Sequence, residues 1–229
     1  MGNRSNEQYA LITDFDQNTS FSEAFHTLFA NMRFNWETHS DEVPSIHTTL
    51  LASAIEYAEQ SVIAANLAIV AAQSGYKTIL VDADLRSPGL EQRFGLDCST
   101  GLSDLLDEQS ITWQKVAECL QPTFISDLQI LCSGISSTAG STLLLSPKLE
   151  HCMECIRQVL EQPHNTHGIV IYHSAPVPAG PDASLLGALT GQVVLTIVSG
   201  RTTREQAKAA QEQLEQAHAK VVGAIMVNP

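Results

Sequence analysis

The sequence predicts a doubly wound α/β fold, in which one mostly parallel sheet is covered by helices on both faces. From residue 46 onward, short continuous apolar runs alternate with amphipathic segments, as in strands buried on both sides and separated by helices. The chain has 229 residues, of which 44% are hydrophobic, and this is enough apolar material for one core. We found no internal repeat and no low-complexity tract. A single domain is therefore expected.

The elements can be placed approximately from hydrophobic periodicity. Strands are predicted over 46–53, 77–82, 128–132, 168–173, 192–198 and 221–227. Helical patterns lie near 60–74, 102–118, 146–162, 182–190 and 203–219. A further helix over 20–36, with Ser20 or Ser22 as its cap, is joined to the body by a polar linker, residues 37–45. Residues 1–19 are expected to be a loosely held arm, so that the domain spans 20–229.

The charge balance argues against two classes of direct partner, nucleic acids and anionic lipid surfaces. The formal net charge is −13, from 12 basic and 25 acidic residues. A protein that tracks nucleic-acid phosphates, or that adheres unaided to anionic lipid, needs the opposite field. The sequence has no apolar window of about 18 residues, and its polar N-terminus does not look like a secretory signal. We expect a cytoplasmic protein that does not insert into membranes.

Five cysteines are irregularly spaced, and we expect them to be reduced thiols. One pair, Cys152 and Cys155, follows His151 and looks like half of a zinc site. Its second half is missing, and the segment has the pattern of an amphipathic helix. A structural thiol pair is therefore favoured over metal or redox chemistry, and no metal site is predicted. The other cysteines are Cys98, Cys119 and Cys132.

The loop between the first body strand and its helix has the place and length of a phosphate-binding loop. Such a loop needs glycines that let backbone N–H groups approach oxygens, a lysine for the β and γ phosphates, and a hydroxyl for magnesium. Of these, only Ser61 remains. Tyr57 and Glu59 stand where glycines are wanted, and Gln60 stands where the lysine is wanted. The alternative interpretation is an ordinary acidic helix start.

The segment Ile79–Arg86 ends a strand with two carboxylates, Asp82 and Asp84, which are followed by Arg86. It resembles the second nucleotide motif of the bacterial tyrosine kinases of capsule and exopolysaccharide synthesis, relatives of the septum-site and partition ATPases. The resemblance extends over residues 20–228 and implies a P-loop NTPase-like fold. The other segments that carry it are 22–34, 64–68, 72–75, 101–106, 200–205 and 222–228.

The third motif of that family departs from its pattern here. The family has an apolar strand that ends in an aspartate, then two residues and a proline. In this chain Pro176 is kept, but His173 stands at the aspartate position. The resemblance implies that this aspartate works with magnesium, for which a neutral imidazole is a poor ligand. A satisfied polar residue at a strand end is favoured over a ligand role for His173.

Two further family features are missing. The N-terminal helix should carry a glutamate and two arginines at a spacing of three, which the family uses to build rings. These positions of the oligomerisation helix read Glu23, His26 and Phe29, so ring assembly in that manner is not expected. The C-terminal tyrosine cluster that the family phosphorylates is also absent. The four tyrosines are scattered, at Tyr9, Tyr57, Tyr76 and Tyr172.

Taken together, the resemblance and the replaced or missing motif residues imply a catalytically degenerate pseudokinase. Such a protein would be a regulatory or adaptor subunit in exopolysaccharide or capsule synthesis and export. Phosphoryl transfer relies on positioning and charge neutralisation, and the cradle, lysine, metal acid and phosphoacceptor are all altered. No cofactor is then expected. Asp82, Asp84 and Arg86 are read as remnants that pair with one another or with the rebuilt loop, rather than as catalytic residues.

The alternative function is an ATP-dependent tyrosine kinase or ATPase with an unorthodox loop, which would use ATP and Mg²⁺. A partition-like ATPase that positions cargo shares the fold but needs the same missing lysine. For the adaptor, the resemblance implies as partner the cytoplasmic tail of an inner-membrane chain-length regulator, or an active kinase paralogue. The protein would then be peripheral at the inner membrane.

A loop built for phosphate leaves backbone N–H groups at the helix start without acceptors. We expect Glu56 or Glu59 to supply an internal anion that accepts them. The alternative is that both glutamates point to solvent.

Overall fold

The computed structural model describes residues 11–14, 19–37, 46–57, 59–134, 140–161 and 167–228. Seven strands form one sheet in the order β3-β4-β2-β5-β1-β6-β7, and every pairing is parallel except that of β3 with β4. The predicted fold class is therefore confirmed. The strands are β1 Ile46–Ser53, β2 Lys77–Ala83, β3 Gln121–Pro122, β4 Leu128–Leu131, β5 Gly168–Ser174, β6 Gln192–Val198 and β7 Val221–Val227.

Helices cover both faces of this sheet, as predicted. On one face the core is built with α1, α2 and α3, and on the other with α4, α5, α7, α8 and α9. Within the described ranges, none of the helices is both long enough and apolar enough to cross a bilayer. The helices are α1 Ser20–Glu37, α2 Gln60–Gln73, α3 Leu90–Phe94, α4 Leu102–Asp107, α5 Trp113–Cys119, α6 Gly140–Leu144, α7 Lys148–Leu160, α8 Asp182–Leu189 and α9 Arg204–Gln216.

The N-terminal helix α1 packs on α2, which is buried along almost its whole length. A helix that is apolar all round needs cover on both sides, and α1 provides it with Phe25, Phe29 and Met32. The helix is capped by Thr19, whose Oγ1 accepts the N–H of Ser22 at 3.2 Å. The predicted caps, Ser20 or Ser22, were therefore wrong by one and three positions, because both residues already lie in the helix.

The described part of the predicted arm is not loose. Leu11 and Ile12 are buried in the same core as α1 and α2, and residues 12–14 form a 3-10 turn. The backbone N–H of Ile12 donates to Oδ1 of the buried Asn66 at 2.7 Å. The rest of the arm, 1–10 and 15–18, and linker residues 38–45 lie outside the described residues.

The single helix predicted over 102–118 is two helices, α4 and α5. Glu108 leaves the helical region with φ −58° and ψ 149°, and Thr112 restarts it by accepting the N–H of Lys115 at 3.4 Å. Before α4, Gly101 lies directly against the chain that follows β4. A Cβ at this glycine would lie 2.1 Å from the carbonyl oxygen of Cys132, so only glycine fits. Periodicity could not reveal this break, since both helices pack on the same face.

The prediction of five reduced thiols was wrong for two of them. Cys98 and Cys132 are joined by a disulfide, with their Cα atoms 6.2 Å apart. The sequence distance of 34 residues hid this contact, which depends on how the chain after α3 passes the end of β4. Cys152 and Cys155 are free and buried on α7, as a structural pair would be. Burial, first of all, raises the pKa of Cys152 to about 12, so this thiol stays uncharged.

The start of the sheet carries a buried histidine. The ring of His47 in β1 stacks on Trp36 of α1, with centroids 4.0 Å apart and planes within 5°. Burial, and secondarily the nearby His167, lowers the pKa of His47 from 6.5 to about 4. The imidazole of His47 is therefore neutral in the folded protein at neutral pH.

This pKa predicts an acid-sensitive packing contact. Between pH 6.5 and 4 the unfolded chain binds a proton at His47 that the folded chain does not, so stability falls as the pH falls through this window. Chemical denaturation of the His47→Phe variant should show a smaller loss between pH 7 and pH 4, by up to about 3 kcal/mol. The matched control is His26→Phe, at an exposed position of α1. Equal acid losses in the two variants would contradict the assignment.

Candidate functional site

The carboxyl ends of β1, β2 and β5 meet at one edge of the sheet, because β5 lies between the other two strands. In open parallel sheets, ligands bind beyond this edge. The loops that follow the three strands enclose a cleft of about 450 Å³. Its walls come from the loop before α2, the segment between β2 and α3, and the segment after β5. This cleft has the position that the sequence assigned to a nucleotide.

Asp82 lies beneath the cleft and is fully buried. One carboxylate oxygen, Oδ2, accepts the backbone N–H groups of Gly89 and Leu90 at 3.0 and 3.1 Å, at the start of α3. The other, Oδ1, accepts the N–H of Asp84 at 3.2 Å and lies 3.3 Å from Nδ1 of His173. Asp82 and His173 are also register partners in the β2–β5 ladder. The carboxylate therefore ties together two strands and a helix.

Asp84 and Arg86 have structural partners too. Oδ1 of Asp84 accepts the N–H groups of Arg86 and Ser87 at 3.1 and 3.0 Å, which shapes the turn after β2. Burial is the largest cause of a raised Asp84 pKa, and the Ser87 N–H opposes it. The guanidinium of Arg86 binds the buried Asp182, with Nε–Oδ2 2.7 Å and Nη2–Oδ1 3.4 Å. A Cβ at Gly180 would lie 2.6 Å from Nη2, so this glycine admits the arginine.

The predicted pairing of these three remnants was therefore only partly right. Asp82 and Asp84 bind backbone N–H groups within the 82–90 segment, as structural residues would. Arg86 instead reaches across 96 positions to Asp182. The sequence offered no signal for Asp182 beyond an acidic residue in the first turn of a helix.

At the lysine position, Gln60 is buried, and its amide is already engaged. Nε2 donates to the carbonyl oxygen of Ser174 at 2.7 Å, at the end of β5. The neighbouring Ser61, the position of the magnesium hydroxyl, accepts a hydrogen bond from Nε of Arg93 at 3.2 Å. Tyr57, at a glycine position, is buried, and burial raises its pKa to about 12. The loop residues thus pack into the protein's own structure.

The expected internal anion is not there. Glu56 is exposed, and Glu59 stands at the N-cap of α2 without a side-chain hydrogen bond to the helix. Backbone carbonyl groups accept hydrogen bonds from the N–H groups at the helix start instead. The N–H groups of Val62 and Ile63 donate to the carbonyl of Glu59 at 3.0 and 3.3 Å, and that of Gln60 to the carbonyl of Tyr57 at 3.4 Å. The tight turn before the helix satisfies these donors, so no carboxylate is needed.

Only one of the two ring nitrogens of His173 has a hydrogen-bond partner among the described residues. The interpretation of His173 as a fully satisfied polar residue was therefore wrong. Its side chain is 3% exposed and lines the cleft. Nδ1 faces Asp82, whereas the buried Nε2 has no hydrogen-bond partner among the described residues. Pro176, the retained proline of the third motif, also lines the cleft and precedes the 3-10 turn Val177–Ala179.

These residues do not fit a magnesium nucleotide. The position of the phosphate lysine holds an amide that is bound to the backbone, and the position of the metal aspartate holds an imidazole bound to Asp82. Magnesium prefers several oxygen ligands in a near-octahedral shell. Within the described part of the chain, no group of three or more His, Cys, Asp or Glu side chains is placed to hold a metal ion.

The other family positions have also changed their surroundings. On α1, Glu23 and His26 are exposed, whereas Phe29 is 3% exposed and makes edge contacts with the rings of Trp36 and Tyr76. Phe29 is therefore a core residue and not part of an oligomerisation surface.

Each tyrosine side chain in the described residues is buried or half-buried. Tyr57 and Tyr172 are buried, and Tyr76 is half-buried among aromatic rings. Tyr9 lies outside the described residues.

Comparison with known proteins now gives the family. No family model matches the chain. The chain is 31% identical over 205 residues to the tyrosine-protein kinase YwqD of Bacillus subtilis, covering 90% of this chain and 80% of YwqD. It is 28% identical over 176 residues to the succinoglycan biosynthesis transport protein ExoP of Rhizobium meliloti, covering 77% of this chain but 21% of ExoP.

Solved structures agree. The chimerical protein CapA2B2 superposes with a TM-score of 0.79 at 31% identity, covering 95% of this chain and 88% of that one. The septum-site-determining protein MinD of Pyrococcus horikoshii, complexed with Mg-ADP, has a TM-score of 0.62 at 17% identity, over 79% of this chain and 70% of its own. At this identity, the similarity between MinD and this chain concerns only the fold, that of the P-loop ATPases. By its sequence and its fold, the chain belongs to the family of bacterial tyrosine-protein kinases.

Proposed function

We propose that this member of the family is a pseudokinase, a regulatory or adaptor subunit in exopolysaccharide or capsule synthesis and export, with little or no binding of ATP·Mg. The observation that carries the proposal is the bond from Gln60 Nε2 to the carbonyl of Ser174, 2.7 Å long. It places a neutral, engaged amide where the family needs a free cation. The ExoP similarity supports the link to polysaccharide, since that relative is a succinoglycan biosynthesis protein.

The energetics favour loss of catalysis rather than a shifted mechanism. Phosphoryl transfer needs charge neutralisation along the phosphates, and removing one positioned charge or donor commonly removes several kcal/mol of transition-state stabilisation. In this chain the lysine and the metal carboxylate are both replaced. The remaining carboxylates, Asp82 and Asp84, already accept backbone N–H groups of the 82–90 segment.

An adaptor needs a partner, and the net charge of −13 favours a basic one. We propose the cytoplasmic tail of an inner-membrane chain-length regulator, or an active kinase paralogue. Recruitment by such a tail would place the protein peripherally at the inner membrane.

The first functional prediction concerns the nucleotide. Isothermal titration with ATP and Mg²⁺ should detect no binding in the micromolar range, and incubation with ATP should give no phosphotyrosine. The alternative function, a kinase or ATPase with an unorthodox loop, predicts the opposite. A micromolar dissociation constant, or phosphotyrosine that is lost in Asp82→Asn, would decide for that alternative.

A second prediction is that binding can be partly restored. The combined substitutions Tyr57→Gly, Glu59→Gly, Gln60→Lys and His173→Asp return glycines, lysine and metal acid together. We expect ATP·Mg binding measurable by calorimetry but no phosphotyrosine, since the C-terminal tyrosine cluster that the family phosphorylates is still missing. The matched control carries Gln60→Met with the same three other changes. Equal affinity of the two variants would show that the lysine is not the deficient element.

A third prediction concerns recruitment. In cells, the protein should co-sediment with membranes that contain a chain-length regulator with a basic or amphipathic tail, and remain in the supernatant when that tail is deleted. High salt should release it from the membranes, because the attraction is electrostatic. Unchanged sedimentation after tail deletion would contradict the regulator as partner.

A further inference from the structure

The cleft beyond β1, β2 and β5 contains acceptors that the protein leaves unused. In the neutral form of His173, Nδ1 donates to the carboxylate of Asp82, since a carboxylate can only accept, and the buried Nε2 then presents a lone pair. Nε2 has no partner among the described residues, although a buried polar atom without one is costly. The imidazole also lines the cleft. In this form, Nε2 can accept a hydrogen bond from a ligand that enters the cleft.

A carboxylate lies in the same cleft. Asp84 is 6% exposed, and its recorded hydrogen bonds are from backbone N–H groups to Oδ1. Burial, first of all, raises the pKa of this carboxyl, and the N–H of Ser87 opposes this shift. A second carboxylate, that of the exposed Glu56, lines the mouth of the cleft.

The two arginines that line the cleft are turned to other groups. The guanidinium of Arg86 forms its ion pair with Asp182. Nε of Arg93 donates to Ser61, on the side where α2 begins. Asp82, buried below the cleft, adds another negative charge. The part of the cleft around Asp84 and His173 is therefore rich in acceptors, and it favours a cation that can donate hydrogen bonds.

We propose that this vacated cleft is the docking pocket for a cationic side chain, an arginine or a lysine, from an extended segment of the partner protein. The cleft, at about 450 Å³, has the size of a small-ligand pocket. Arginine fits best, because its planar guanidinium carries five donors and can bind a carboxylate and a second acceptor together. The proposal deepens the adaptor function and rests on it, and the acidity of the whole chain directs a basic segment to it.

The test uses the full chain and a probe of known composition, acetyl-Gly-Arg-Gly-amide, followed by NMR of the backbone amides of Ser87 and Gly89. The same peptide with citrulline is the neutral, nearly isosteric control. We expect saturable shifts at both amides with the arginine peptide and at least about tenfold weaker binding of the citrulline peptide. Shifts that are absent, or equal for the two peptides, would overturn the proposal.

Three single substitutions test whether the arginine peptide binds in the cleft. Asp84→Asn keeps an acceptor oxygen for the turn but removes the charge, and it should weaken the arginine peptide about tenfold. Asp97→Asn, the same change at an exposed position outside the cleft, should have no effect. Because Asp84→Asn could impair folding, Glu56→Gln provides an exposed second variant, with a loss of roughly threefold expected. Equal binding by the Asp84, Glu56 and Asp97 variants would overturn the pocket.

The failures of the two proposals can be told apart. Micromolar binding of ATP·Mg that displaces the arginine peptide would refute the pseudokinase proposal, but it would not refute the cation pocket. Undiminished recruitment of the folded Asp84→Asn variant to regulator-containing membranes would refute the pocket as the partner's docking site and leave the adaptor standing. Tighter binding of agmatine, a free guanidinium amine, than of the peptide would overturn a partner segment as the occupant.

Discussion

The arrangement of this site depends on one buried carboxylate. Asp82, the penultimate residue of β2, accepts the N–H groups of Gly89 and Leu90 at the start of α3 and faces His173 on the next strand. Burying a carboxylate without such partners would cost several kcal/mol, so each of these groups is needed to keep it in place. Once Asp82 is held there, the turn around Asp84, the start of α3 and the wall of the cleft are fixed with it.

Apart from the two-residue β3, the strands and the two-sided helical cover could be predicted from apolar-rich runs that alternate with helical patterns, and the predicted ends of β1, β6 and β7 match the observed ones. The short helices α3 and α6 could not, since five residues are too few to show a helical period. The same limit applies to the break between α4 and α5, where both helices present apolar residues to one core.

For the site, the sequence located the cleft and its altered residues but not their partners. The positions of Gln60 and His173 follow from motif spacing, whereas their contacts with Ser174 and Asp82 depend on which strands are neighbours. The internal anion was expected from Glu56 or Glu59 because helix N-termini attract carboxylates. That argument neglected the carbonyls of Tyr57 and Glu59, which the turn itself brings to the same donors. Phe29 was counted among the altered positions of the oligomerisation helix, and its packing shows it to be a core residue.

The pairing of His173 with Asp82 also limits which single substitutions these positions tolerate. Aspartate at position 173 would place a second carboxylate beside the buried Asp82, on the neighbouring strand. Lysine at position 60 would put an ammonium where the amide of Gln60 now binds the Ser174 carbonyl, in a buried position. Each change made alone adds a charge to a buried position, so we expect each to lower the free energy of unfolding.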